Sequence, residues 1–165
     1  MQRKIYLVRH AQTFPGNIHT PDEKRMLTPE GEASATHLGI YLKQKNSNLN
    51  LIITSHATRA YSTALAIQKA LNENIQIQVE KTLYAENTFE ILRLLTALPD
   101  SVHEVMVVGH YPTVVELHNH LAGNKQLTIL NTGELAVLTF TSSWGALSDG
   151  MANHEYTYHP PYLVT

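Results

Sequence analysis

Apolar residues along the chain occur in two arrangements, unbroken runs and stripes repeating every three to four positions, and the two alternate. Ile5 to Val8, Leu51 to Ile53 and Val105 to Val108 are unbroken runs. Such short runs suit parallel strands covered on both faces. Between them the period becomes helical. Thr28 as N-cap, Pro29 at the first helical position and Glu30 and Glu32 in the first turn precede Ala35, Leu38 and Leu42, predicting a helix over 28–45. Ala60, Ala64, Ile67 and Leu71 stripe a second helix whose first turn contains Arg59. Ile75, Ile77 and Val79 alternate with polar neighbours, predicting a more exposed strand over 75–83. Asn87 and Glu90 have capping-box spacing ahead of a third helix that buries Ile91, Leu92, Leu95 and Leu98 and stops at Pro99. Pro112 opens a fourth, striped by Val114, Leu117 and Leu121 and closed by Gly123. Two last strands, over 133–141 and 155–158, flank a turn-rich stretch in which Trp144 is a core or hairpin anchor. Strands alternating with helices predict one domain over 1–165, a three-layer α/β/α sandwich on a mostly parallel central sheet with right-handed crossovers.

Composition narrows this picture. At 165 residues the chain is long enough for one core that removes roughly 70% of its unfolded surface from water. It has no cysteine, which excludes disulfides, thiolate metal sites and a cysteine nucleophile, and agrees with a reducing compartment. A formal charge of −2 gives no basic field for nucleic acid. No apolar run has bilayer-spanning length, and the run after the charged start is too short for a signal-peptide core. A cytoplasmic protein that binds neither nucleic acid nor membrane is expected.

In a parallel sheet, ligands gather beyond the carboxyl ends of the strands, and three of these ends carry candidate chemistry. Arg9 and His10 follow the first run, Arg59 follows the second, and His110 follows the run at 105–108. An Arg-His pair alone ends many strands as a solvated edge; four such groups, far apart in sequence and sharing one rim, make a site. Guanidiniums are planar forks that grip phosphate oxygens bidentately. Two imidazoles divide into a neutral one that attacks phosphorus and one that donates hydrogen bonds to its oxygens, so the phosphoryl group would pass through a covalent phosphohistidine before water releases it. His10 is the expected nucleophile, because it follows its strand directly and a backbone carbonyl readily holds its inner ring nitrogen. His110 is the expected donor. With arginine supplying the positive charge, neither metal nor cofactor is expected. Four other histidines read as surface groups: His118 and His120 are two apart on a helix, no His-Glu-x-x-His occurs, and His154 and His159 lie in a tail without an acidic partner set. Lys24, Arg25 and Arg93 read as surface charges, with a place facing the rim as the alternative for Arg25, which precedes Leu27-Thr28.

Arg9-His10-Ala11 with Thr13, the spacing from Ser55 to Arg59 before Ala60, and Gly109-His110 resemble, in order and context, the motifs of the histidine phosphatase (phosphoglycerate mutase-like) superfamily. Leu27-Thr28-Pro29-Glu30-Gly31, Leu83-Tyr84 and the closing Trp144, Gly150 and Pro160 are similar to its short bacterial branch, the SixA-type phosphohistidine phosphatases. The resemblance implies a phosphoglycerate mutase-like fold, His10 as nucleophile, a phosphate pocket of Arg9, Arg59 and His110, and Thr13 in substrate binding. Glu86 stands where larger members carry a proton donor, and would serve as general acid for an alkoxide leaving group; SixA-type proteins often lack an acid there. Ala11 replaces a glycine common in the family, and His56, expected to be solvated, replaces a common proline. Members acting on sugars or phosphoglycerates tend to carry long cap insertions, whereas the loops after Arg59 and His110 are short here, so a shallow pocket is expected. That suits a metal-independent phosphatase acting on phosphohistidine of a phosphorylated protein, such as a phosphorelay component. The alternatives are a phosphomonoesterase with a small phosphoester substrate and a phosphate-binding regulatory module without turnover.

Overall fold

The computed structural model describes residues 1–85, 87–124 and 127–161. Six strands, β1 (Arg3–Arg9), β2 (Leu51–Thr54), β3 (Gln76–Val79), β4 (Glu104–Gly109), β5 (Leu135–Phe140) and β6 (Asn153–Tyr158), form one sheet in the order β3-β2-β4-β1-β5-β6. Strands β3, β2, β4 and β1 are parallel, while β5 is antiparallel to both β1 and β6. The four main helices are α1 (Pro29–Gln44), α2 (Thr58–Leu71), α3 (Thr88–Thr96) and α4 (Thr113–Ala122).

Successive strand side chains point to opposite faces, and here each face is covered. Tyr6, Val8, Ile52, Met106 and Val108 pack with Leu38 and Leu42 of α1 and Ala64 and Ile67 of α2. Ile5, Leu7, Ile53, Val105 and Val107 pack on the other side with Ile91 and Leu95 of α3 and Leu117 and Leu121 of α4. The result is the expected three-layer α/β/α sandwich. Burying one such aliphatic side chain contributes roughly 1.5–3 kcal/mol, so the unbroken runs hold the two helical layers together. Trp144 is an anchor in this second layer: it is fully buried, and its indole Nε1 donates to Val102 O at 2.7 Å.

Local boundaries differ from expectation where a partner strand is missing. The strand predicted over 75–83 ends at Val79, because its only neighbour, β2, ends at Thr54; Thr54 O accepts a last hydrogen bond from Glu80 N, and a 3-10 turn at Lys81–Leu83 then buries Leu83. Strand β6 begins at Asn153 rather than 155 and pairs with β5 through an irregularity at Val137 and Leu138. At α3, Asn87 accepts from Phe89 N and Glu90 N, but the Glu90 carboxylate turns to Arg93 Nε at 3.2 Å, so only half of the capping box forms.

The surface reading of His118 is corrected. Its ring is fully buried, with Nε2 2.8 Å from His154 Nδ1 and Nδ1 2.9 Å from Asn119 Oδ1. This face of α4 packs toward β6, a contact between elements distant in sequence that helical spacing cannot reveal. His159 likewise has an acidic partner, its Nδ1 lying 2.9 Å from Glu134 Oε1. Among the described residues, no helix is long and apolar enough to cross a membrane.

Strands β1 and β4 are neighbours in the sheet, yet the chain leaves β1 for α1 on one face and β4 for α4 on the other. Such a divergence opens a crevice beyond the strand ends.

Candidate active site

The β1/β4 register pairs Arg9 with Gly109, so the residues that follow, His10 and His110, come off adjacent strands with ring centroids 5.4 Å apart. The backbone around them is fixed. His10 N donates to Gly109 O, and Gly133 N donates to both Arg9 O and His10 O, each at 3.0 Å. Gly133 has φ +79, and a Cβ there would lie 2.8 Å from Ser34 Oγ, so only glycine fits between α1 and the strand end. Gly31 has a related role: a Cβ would collide with Gln12 O, and its absence lets the start of α1 dock on the chain just past His10. Thr28 N donates to Gln12 O while Thr28 Oγ1 caps Gly31 N, which gives the Leu27 to Gly31 motif its structural meaning.

His10 is 8% exposed, and its Nδ1 lies 2.8 Å from Ala11 O. A carbonyl only accepts, so Nδ1 carries the proton and Nε2 keeps its lone pair. Burial, reinforced by the neighbouring His110, Arg59 and Arg9, pushes the imidazole pKa down to about 3, which leaves the ring neutral at pH 7. At His110, Nε2 lies 2.9 Å from Ser55 Oγ. That hydroxyl oxygen accepts from Ala57 N and keeps its own proton, which it can donate to Nε2; in that arrangement the ring's proton resides on Nδ1. Burial, with Arg59 next in effect, pushes the His110 pKa down to about 4.

Arg9 donates through Nη1 to Leu130 O at 3.1 Å and lies over the Tyr111 ring. Arg59 donates through Nη1 to Asp22 O and through Nη2 to Asp22 Oδ2, at 2.7 and 3.0 Å. Arg9 Nε, Arg59 Nε and His110 Nδ1 are buried and make no hydrogen bond. An unsatisfied buried donor costs about 1–3 kcal/mol. Two guanidiniums and two imidazoles around one pocket suit a tetrahedral oxyanion, whose oxygens the guanidinium forks grip and whose central atom meets the His10 lone pair.

These four side chains line one pocket of about 420 Å³ together with Thr13, Arg25 and Tyr84, and with Asp22, which the sequence did not single out. Of the two readings of Arg25, the structure has the rim position: it donates through Nη2 to Thr13 Oγ1 at 2.7 Å. The Asp22 carboxylate accepts from Tyr84 Oη at 2.8 Å, Arg59 Nη2 at 3.0 Å and Arg25 Nη1 at 3.3 Å. The Tyr84 hydrogen bond first, then Arg59 and Arg25, hold its pKa below the usual carboxylate range. The wall above Arg59 thus comes from segment 14–26. One signal was available: a stretch of this length without periodicity in a compact fold is usually functional. His56, expected to be solvated, places Nε2 2.9 Å from Glu23 Oε2 on the rim, with its ring edge-on to Tyr84. Glu86 lies outside the described residues.

The histidine phosphatase superfamily (branch 1) matches residues 5–88, just over half the chain, and the chain belongs to that superfamily. Its fold is phosphoglycerate mutase-like. Among solved structures it is similar to two candidate phosphohistidine phosphatases of the SixA type. One, from Nakamurella multipartitia, is 27% identical with a TM-score of 0.84 over 97% of each chain. The other, from Agrobacterium tumefaciens, is 26% identical with a TM-score of 0.82, over 96% of this chain and 98% of that one. A mycobacterial glucosyl-3-phosphoglycerate phosphatase shares the fold at 14% identity, with a TM-score of 0.70 over 94% of this chain and 98% of its own.

Proposed function

We propose that the protein is a cytoplasmic, metal-independent phosphatase that takes the phosphoryl group from phosphohistidine on a protein, holds it on His10 and passes it to water. The observation that carries this reading is the hydrogen bond between His10 Nδ1 and Ala11 O, which leaves Nε2 unprotonated among hydrogen-bond donors. Arg9, Arg59 and His110 Nδ1–H bind the phosphoryl oxygens and stabilise the charge spread over them in the transition state. Nε2 attacks phosphorus, the bond to the leaving atom breaks with its electron pair, and Ala11 O continues to accept from the Nδ1–H of the cationic phosphohistidine. Water then attacks phosphorus, and neutral His10 returns. Thr13, whose hydroxyl oxygen accepts from Arg25, retains its own proton for a substrate oxygen. Glu86 serves as general acid only for an alkoxide leaving group; Glu86→Gln is expected to slow alkyl phosphate hydrolysis by roughly 10²-fold and phosphohistidine hydrolysis little. Equal effects on the two would remove it from that role.

A protein substrate is supported by the similarity to SixA-type structures and by the exposed apolar side chains of the pocket-forming segment, Phe14 at 51%, Ile18 at 94% and Met26 at 63% exposure. A small phosphoester is the second reading, favoured by a pocket volume of about 420 Å³, within the range of small-ligand sites. Comparing kcat/KM on a phosphohistidine-bearing protein, a phosphoserine peptide and a sugar phosphate decides between them. Highest kcat/KM on the first is expected; preference for the sugar phosphate would reassign the substrate, and no turnover of any would leave a binding module.

A further inference from the structure

Asp22 puts a negative charge in the wall of a pocket otherwise built to hold anions. Its side chain is 53% exposed, and it sits against Arg59 in the same pocket as His10 and His110. Three donors hold the carboxylate, from Tyr84, Arg59 and Arg25. A carboxylate offers about four lone-pair sites, so it can accept one more donor from the pocket side. For a phosphate monoester such a group is no help to the leaving group: ionised, it has no proton for the departing alkoxide. A phosphoimidazole has the opposite requirement. When its remote nitrogen is protonated, that nitrogen bears an N–H and the ring is a cation that departs as neutral imidazole.

We propose that Asp22 is a specificity-determining residue that accepts the remote N–H of a departing imidazole and so selects phosphorus–nitrogen over phosphorus–oxygen substrates. The proposal rests on phosphoryl transfer to His10 as described above. In the step, the Nε2 lone pair forms the new bond to phosphorus. The bond between phosphorus and the leaving nitrogen breaks, with its electron pair remaining on that nitrogen. The leaving ring changes from cation to neutral imidazole, its remote N–H still bonded to Asp22, and the positive charge appears on His10 instead. No proton moves, so a carboxylate acceptor is sufficient where an ester would need an acid.

The test compares phosphoimidazole with an aryl phosphate, in the wild-type protein and in Asp22→Asn. The carboxamide keeps the size and an acceptor oxygen but loses the charge. Expected is a fall in kcat/KM of about 10- to 100-fold on phosphoimidazole, typical of a lost hydrogen bond to a charged group, with a several-fold smaller fall on the aryl ester. Equal losses would make Asp22 only a support for Arg59 and overturn the proposal, as would no loss on phosphoimidazole. A substrate-side comparison needs no folded variant: N-methylation of phosphoimidazole removes the remote N–H, and the wild-type preference for the N–H compound, corrected for the two solution rates, should be at least 10-fold. Absence of that preference also overturns it. If the wild-type protein hydrolyses neither compound, the phosphatase function itself fails, and that result is distinguishable from failure of the Asp22 role alone.

Discussion

An imidazole attacks phosphorus only through a nitrogen that keeps its lone pair, and at His10 that choice is made by one backbone carbonyl, Ala11 O. With His10 as nucleophile, brief incubation with labelled substrate followed by quenching should trap acid-labile, alkali-stable phosphate on the protein, and His10→Ala should abolish it. Label that persists in the variant, or that resides on serine or aspartate, would reassign the nucleophile. Arg59 lines the pocket with its guanidinium held by Asp22 through Nη1 and Nη2. Lysine keeps the charge and loses the fork, so Arg59→Lys should lower kcat/KM by on the order of 10²-fold. Steady-state kinetics close to wild type would remove Arg59 from phosphate binding. These residues were legible because each directly follows an apolar run or opens a helix. Asp22 was not, since it lies in a segment whose side chains follow no period and its partners, Arg59 and Tyr84, are distant in sequence.

At the level of elements, the site depends on how strand ends are held. Gly133, just before β5, ties Arg9 and His10 through its N–H and occupies a left-handed conformation against α1. Gly133→Ala should therefore destabilise the fold by about 1–3 kcal/mol, through backbone strain and the contact with Ser34. It should also lower kcat/KM as His10 shifts. A urea-unfolding midpoint equal to wild type would show that the loop accommodates a side chain there. Helix stripes and the Thr28 cap appear in the structure as the sequence places them, because helix signals are local. The end of β3 and the burial of His118 are not local: one depends on where β2 stops, the other on β6 lying beneath α4.

Across the whole molecule, burial holds His10, His110 and His118 neutral, the first two with pKa values of about 3 and 4 and the third lowered. In the unfolded chain these rings titrate near 6.5, so below that pH the unfolded state binds more protons than the folded one. The stability they contribute is therefore fully present above pH 6.5 and declines as pH falls toward 4, by about 1 kcal/mol per pH unit for a fully buried ring. Urea unfolding at pH 7.5, 6.0 and 5.0 should show a falling stability, with a shallower slope in His10→Ala; equal slopes in the two proteins would contradict neutral burial of His10. The sequence by itself determined the layered α/β/α order, the strand ends that bear Arg9, His10, Arg59 and His110, and the family, because apolar period, capping residues and short motifs are properties of neighbouring positions. Only the tertiary structure decided which strands adjoin, how Asp22 reaches Arg59 and Tyr84, and which nitrogen of His10 keeps its lone pair. Those depend on sheet order, on a loop folding back over the strand ends, and on the carbonyl that His10 Nδ1 meets.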